Sequence, residues 1–146
     1  MRRRLLFVTL FLVAILLVVL GGGLAYASRE PAWNPAYFTP HYQGKYATLE
    51  QAFELHMKAL QATEATLYNE VLGYESGLSD KDFPLYSGPM PTIEELKVDG
   101  DWGFIWTDTH TGTHWEANYW RVKGRWVFQP EDLRFILLQF LKWLGR

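Results

Sequence analysis

The first part of the chain is dominated by a strongly apolar run from Leu5 to Leu20, and three arginines at positions 2–4 precede it. Gly21–Gly23 and the small residues Ala25 and Ala27 follow the run. This order of basic, apolar and small-residue regions is typical of a secretory signal that is cleaved after Ala27. A helix over residues 5–27 would also be about 34 Å long, enough to cross a hydrocarbon core of about 30 Å. Residues 1–27 are therefore predicted to be a signal peptide or an uncleaved transmembrane anchor.

The arginines also predict an orientation for the chain. Basic residues beside an apolar span stay on the cytoplasmic side of a membrane, so we expect residues 28–146 to lie outside the cytoplasm. An uncleaved leader would make this a single-pass protein of the cell membrane with its C-terminal domain outside, whereas cleavage would make it a secreted protein. The sequence leaves both alternatives open.

A helix is predicted from Thr48 onward, because Thr48 and Gln51 have the spacing of a capping box. Apolar positions then recur at intervals of three and four, as on one face of a helix. The stripe consists of Leu49, Phe53, His56, Leu60, Thr63, Leu67 and Val71. Gly73 is placed to end the pattern. Because the pattern weakens near Thr63, the sequence allows either one bent helix or two successive helices.

Between residues 96 and 129 the period of the pattern changes from 3.6 to 2, which is typical of β-strands. Alternating runs cover Trp102–Thr107 and Thr113–Val122, and a short third run covers Trp126–Gln129. Glycine-containing turns separate the runs. The sequence therefore predicts a meander of three strands, with Ile93–Val98 as a candidate fourth strand.

The segment Glu131–Gly145 predicts an amphipathic helix, with acidic residues in its first turn and Lys142 in its last. Phe135 and Leu138 lie opposite the apolar arc of this helix. They are either scattered surface hydrophobes or a second contact surface for a membrane interface or a protein partner. We treat them as the candidate interaction surface.

Composition narrows the range of partners and chemistries. The leader holds three of the 14 basic residues and none of the 16 acidic ones, so the remainder carries a net charge of −5. This charge argues against a nucleic-acid partner, which requires clusters of Lys and Arg. The absence of cysteine excludes disulfides, thiolate metal sites and thiol nucleophiles. No cofactor is predicted, because no cofactor motif is present.

Two stretches carry a resemblance to a known superfamily. One is the helix that begins Thr48-Leu-Glu-Gln-Ala-Phe-Glu-Leu-His. The other is Ala117-Asn-Tyr-Trp-Arg-Val-Lys-Gly-Arg-Trp-Val-Phe, in which a strand ends at a Lys-Gly turn and a Trp begins the next strand. Both are similar to the NTF2-like (cystatin-like) superfamily. The resemblance implies an α+β fold in which a curved antiparallel sheet wraps on a helix as a cone with a pocket at its open end.

The predicted organisation combines these elements. Residues 1–27 form the leader, residues 28–45 a linker or arm, and residues 46–146 an NTF2-like α+β domain that ends in the amphipathic helix. The segments 29–44 and 73–91 are rich in Pro, Gly, Ser and Asp, and we expect them to contribute little to the core.

A polar cluster flanks the predicted hairpin turn, and it consists of Asp108, His110, His114 and Glu116. Imidazole and carboxylate groups are ligands of divalent metals, which makes this cluster the candidate metal site. The same residue types are common at solvated turns that bind nothing, and this second interpretation is favoured.

His56 is the candidate catalytic residue, because in a cone it would be placed to act as an acid or base in the pocket. A histidine on an apolar stripe is more often a hydrogen-bonded core residue, so no catalytic residue is predicted. Five tryptophans have two interpretations, stacking on sugars or lipid headgroups and, the favoured one, core filling. They are Trp102, Trp106, Trp115, Trp120 and Trp126.

Together these patterns favour an exported, membrane-associated domain without catalytic activity. It would bind a partner protein, an envelope component or a small apolar ligand. The alternatives are an NTF2-like enzyme with a pocket acid or base, and an accessory subunit of a membrane complex.

Overall fold

The computed structural model describes the backbone of residues 2–27, 29–110 and 112–130, and within the first helix the side chains of residues 11–23 and 25. The described residues from Pro31 to Pro130 form one compact unit, separate from the N-terminal helix. The predicted C-terminal helix, with its candidate surface of Phe135 and Leu138, lies outside the described residues.

Helix α1 spans Arg2–Ala27 and contains neither proline nor an acidic residue. Every side chain from Phe11 to Leu20 is exposed, so the apolar surface surrounds this part of the helix on all faces. Within the part of the chain that the structure describes, no helix is both long enough and apolar enough to cross a membrane.

Helical elements fill the first half of the compact unit. They are a 3-10 turn at Pro35–Phe38, α2 at Pro40–Lys45, α3 at Leu49–Gln61, α4 at Ala65–Leu72 and a 3-10 turn at Asp80–Asp82. The predicted capping box is confirmed, because the N–H of Gln51 donates to Thr48 Oγ1 at 3.3 Å and the N–H of Thr48 donates to Gln51 Oε1 at 3.2 Å. Two successive helices are present, since Ala62 is extended after α3. Gly73 ends α4 with a φ of 78°, a left-handed conformation that favours glycine.

The sheet is an antiparallel meander of four strands in the order β1-β2-β3-β4, which confirms the fourth strand. The strands are β1 at Thr92–Asp99, β2 at Trp102–Asp108, β3 at His114–Val122 and β4 at Arg125–Gln129. With the helices packed on this sheet, the predicted α+β class is confirmed for the described residues. An irregularity between Ile93 and Glu95 shifts the register of β1 against β2.

Helix α3 packs closely on one face of the sheet, which we call the inner face. It carries Gly103, Ile105, Ala117, Tyr119 and Phe128, all of which are buried. A Cβ at Gly103 would lie 2.6 Å from Leu49 Cδ1, so the absence of a side chain there permits the close approach of helix and strand.

The opposite face, which we call the outer face, carries most of the sheet tryptophans. Trp126 belongs to the buried core and Trp115 packs against it, as the core-filling interpretation predicts. For Trp102, Trp106 and Trp120 that interpretation is wrong, because they are only partly buried and alternate with the buried inner residues. A period of 2 shows that two faces differ, but it does not show which face the helix covers.

The expectation that the two loop-like segments contribute little to the core is wrong. Tyr42 from the first segment and Tyr74 and Tyr86 from the second pack against the buried cluster. Proline begins both the first 3-10 turn and α2, because its fixed φ suits the first helical position. The residues between Pro31 and Lys45 are therefore an integral part of the compact unit.

Arg125 joins this N-terminal arm to α4 and to β4. Its side chain is completely buried, and its guanidinium donates to the carbonyl oxygens of Tyr37 at 2.6 Å and Glu70 at 2.7 Å. The guanidinium also lies 3.9 Å from the ring centroid of Tyr46. The hydroxyl of Tyr46 and the ammonium of Lys45 both donate to Glu70 Oε1, which gives the nearby carboxylate its partners.

Candidate functional site

His56 is completely buried between α3 and the inner face of the sheet. Its Nδ1 lies 2.9 Å from the hydroxyl of Tyr119. The ring centroid of Phe128 is 3.7 Å from that of His56, and the rings of Trp115 and Tyr68 follow at 5.6 Å and 6.3 Å. An aromatic chamber therefore surrounds the imidazole.

Burial keeps the groups of this chamber uncharged. Desolvation lowers the pKa of His56 to about 3 and raises the pKa of Tyr119 well above its ordinary value. His56 Nε2 has no hydrogen-bond partner among the described residues. An acid or base must exchange its proton with a substrate, and a sealed neutral imidazole has no route for that exchange.

A small, partly open pocket lies beside the chamber, with a volume of about 210 Å³. Its wall combines residues of α3, of the loop before β1, and of the hairpin between β2 and β3. The lining residues are Met57, Leu60, Leu85, Tyr86, Pro91, Thr109 and Trp115. Trp115 lies against the His56 ring and also lines the pocket, whereas His56 itself is not among the lining residues.

The polar groups of the pocket already have hydrogen-bond partners. The hydroxyl of Tyr86 donates to the carbonyl oxygen of Pro89 at 2.7 Å, and the hydroxyl of Thr109 donates to the carbonyl oxygen of Thr113 at 2.8 Å. None of the lining residues is Asp, Glu, His, Lys or Arg. The pocket is therefore suited to a small apolar molecule, since an engineered apolar cavity of about 150 Å³ binds benzene.

The first two residues of the candidate metal cluster are engaged in local hydrogen bonds. Asp108 Oδ1 accepts from the backbone N–H of His110 at 2.8 Å. His110 has a φ of 62°, and its Nε2 lies 3.0 Å from Thr92 Oγ1. These contacts are those of a polar turn.

The other two residues lie on the following strand. His114 Nδ1 is 3.0 Å from Glu94 Oε2 at an exposed position, and Glu116 pairs with Trp106 on the outer face. Over the ranges that the structure describes, no group of three or more His, Cys, Asp or Glu side chains is placed to hold a metal ion.

The outer face of the sheet presents an aromatic array, which consists of Trp102, Phe104, Trp106 and Trp120. Trp102 and Trp120 are paired across β2 and β3, and their rings stack with centroids 5.7 Å apart. Phe104 and Trp106 follow along β2, with ring centroids 6.0 Å apart. All four side chains are partly buried and partly accessible.

No family model, no curated protein and no solved structure matches this chain. The class of protein is therefore given by the fold alone, as an α+β domain with helices packed on a four-stranded antiparallel sheet.

Sequence reasoning missed the residues that form the pocket. Leu85, Tyr86 and Pro91 lie in a segment whose Pro and Gly content predicts a loop, and no local pattern marks them as a wall. The apolar side chains within that loop were the signal that could have identified the pocket wall. A loop that is fully exposed to solvent gains nothing from burying apolar side chains, so their presence indicates packing.

Proposed function

We propose that the protein is an exported, membrane-anchored domain of NTF2-like type without catalytic activity, which binds a small apolar ligand beside Trp115. The observation that carries this proposal is the pocket of about 210 Å³, whose lining contains apolar side chains and already paired hydroxyls. Ligand pockets are usually apolar with a few polar groups that fix orientation.

The competing proposal is an NTF2-like enzyme with a pocket acid or base. It would need a titratable group that reaches the bound molecule. His56 is the candidate, but it is completely buried and is not among the residues that line the pocket. This arrangement favours binding over catalysis.

Export and anchoring are proposed from the character of α1. The arginines before the apolar run predict a cytoplasmic N-terminus, and the apolar surface surrounds residues 11–20 on every side. A helix that is apolar all round needs an apolar environment, which a bilayer provides. Cleavage after Ala27 remains the alternative, in which the domain would be released.

A protein partner for residues Phe135 and Leu138, and a role as an accessory subunit of a membrane complex, stay predictions from the sequence.

We predict that alkaline phosphatase fused to the C-terminus will be active in a bacterial host, because this reporter folds only outside the cytoplasm. The matched control carries Leu12→Arg and Leu16→Arg, since arginine at a span's centre strongly opposes insertion. The control should lose most reporter activity. Equal activity of the two fusions would refute the proposed export, and gel mobility against a chain that starts at Ser28 separates anchor from cleaved signal.

We also predict that benzene binds in the pocket of the full chain in lipid nanodiscs. The methyl resonance of Met57, one of three methionines in the sequence, should shift on titration. At ten times its dissociation constant the ligand should stabilise the fold by about 1.4 kcal/mol, because it binds only the native state.

Leu60→Trp should abolish the shift, since the larger side chain fills the pocket. Leu78→Trp is the control, because Leu78 is exposed and lies outside the lining. If the methyl resonance of Met57 in the unchanged protein does not shift when benzene is added, the proposed site is excluded.

A further inference from the structure

One wall of the pocket beside Trp115 is a loop, whereas the other walls belong to α3 and to the β2–β3 hairpin. Three of the seven lining residues, Leu85, Tyr86 and Pro91, lie in the segment 84–91, which we call the strap. The other four lie on α3, on β3 or in the turn before β3. Helical and hairpin hydrogen bonds hold those four in place, so the strap is the wall that moves most easily.

Both ends of the strap are fixed to the compact unit. Before it, the ring of Phe83 packs edge-on against that of Tyr68, with centroids 5.7 Å apart. Asp80 Oδ1 also accepts from the backbone N–H of Ala65 at 2.8 Å. At the other end Pro91 is buried, and β1 follows directly. A movement of the strap is therefore confined to the residues between these two fixed points.

The middle of the strap is held by few contacts. In the part of the chain that the structure describes, two hydrogen bonds join it to the end of α3. The backbone N–H of Tyr86 donates to the carbonyl oxygen of Leu60 at 3.0 Å. Gln61 Nε2 donates to the carbonyl oxygen of Gly88 at 2.9 Å, at an exposed position. Hydrogen bonds that compete with water contribute little, so a segment held by few of them opens locally.

The strap is also bonded to itself. The hydroxyl of Tyr86 donates to the carbonyl oxygen of Pro89 at 2.7 Å, and a Cβ at Gly88 would collide with that hydroxyl. This internal bond keeps residues 86–89 together when the bonds to α3 break. Leu85 is 44% exposed, so the strap covers the pocket incompletely and buries more apolar area when a ligand fills the space.

We propose that the strap is a lid for the apolar pocket, which opens when its hydrogen bonds to Leu60 and Gln61 break and closes on the bound molecule. This inference rests on the proposed binding of a small apolar ligand, and it adds the step that controls entry and release. Lids open on a microsecond-to-millisecond timescale and thereby set ligand exchange rates. Gln61 is the latch residue, because its side chain holds the strap without lining the pocket.

Gln61→Leu tests the latch, since leucine is of similar size but has no hydrogen-bond donor. Gln43→Leu is the matched control, because Gln43 Nε2 donates to a carbonyl oxygen outside the strap, that of Lys123, at 3.0 Å. In the full chain in lipid nanodiscs, Gln61→Leu should raise the hydrogen-exchange rate of the Tyr86 amide about fivefold, the usual effect of one hydrogen bond on an equilibrium constant. Gln43→Leu should leave this rate unchanged.

The kinetics of benzene binding test whether this opening admits the ligand. Line shapes of the Met57 methyl resonance during the titration give the association and dissociation rate constants. Gln61→Leu should raise both about fivefold and leave the dissociation constant unchanged, because the free and the occupied pocket lose the same latch. Benzene at ten times its dissociation constant should slow exchange of the Tyr86 amide about elevenfold, since it favours the closed strap.

The outcomes separate the lid from the pocket itself. If benzene shifts the Met57 resonance but Gln61→Leu alters neither rate constant, the lid proposal is overturned and the apolar site stands. Equal exchange of the Tyr86 amide in the Gln61 and Gln43 variants would overturn the lid proposal as well. If benzene does not shift the Met57 resonance of the unchanged protein, the proposed function fails and the lid fails with it.

Discussion

Replacing Arg125 with leucine should lower the free energy of unfolding by about 3 to 5 kcal/mol, measured by urea denaturation of the full chain in detergent. The variant loses two charge-assisted hydrogen bonds, to the carbonyl oxygens of Tyr37 and Glu70. It also loses the cation–π contact with the ring of Tyr46, which is strong because the guanidinium is fully desolvated. The carbonyl oxygens would remain without a donor.

Arg121→Leu is the matched control, because Arg121 is exposed on the neighbouring strand. It should change stability by less than about 0.5 kcal/mol. The loss of stability in Arg125→Lys should lie between those of the two leucine variants. Lysine keeps the positive charge, but its ammonium group cannot donate to two diverging carbonyl oxygens as the planar guanidinium does. Equal stability of the Arg125 and Arg121 leucine variants would show that Arg125 does not hold the arm to α4.

Stability should fall as the pH falls from about 6.5 to 3, by a total of about 4 to 5 kcal/mol from His56 alone. Burial lowers the pKa of His56 to about 3, whereas the imidazole of an unfolded chain titrates near 6.5. Between these values the unfolded chain binds a proton that the native protein does not, so acid favours unfolding. Above pH 6.5 the stabilisation is fully present.

His56→Gln isolates this contribution in urea denaturation across the pH range. The difference in unfolding free energy between the unchanged protein and the variant should be constant above pH 6.5 and should shrink below it. His41→Gln, at an exposed position of α2, is the control. Its unfolding free energy should vary with pH in the same way as that of the unchanged protein. Parallel curves for the unchanged protein and His56→Gln would contradict the buried neutral state.

Helices α3 and α4 and the strands could be predicted because their signals are local, whereas α2 and the 3-10 turns were not predicted. Thr48 and Gln51 are three residues apart, and their capping hydrogen bonds depend on that spacing and on helical geometry alone. Gly73 marks the end of α4 for a similar reason, since few other residues adopt its backbone conformation without strain. The alternation along β2 and β3 likewise follows from the pleat of a strand.

The candidate sites could be predicted far less well. The sequence places His56 on the apolar stripe but does not show that Trp115 packs against its ring, because residues 59 positions apart meet only in the folded chain. The loop residues Leu85 and Pro91 become a pocket wall only through their contacts with α3 and the hairpin.

By itself the sequence determined α3 and α4, the three strands of the meander with a candidate fourth, their turns and the absence of thiol chemistry, because these depend on residue type and short-range spacing. Only the tertiary structure decided which face of the sheet meets α3, and therefore that Trp102, Trp106 and Trp120 lie outside the core. It also decided that Arg125 is buried in an aromatic setting built from the arm. Burial and charge pairing are set by residues distant in the chain, and a local pattern carries no information about which distant residues meet.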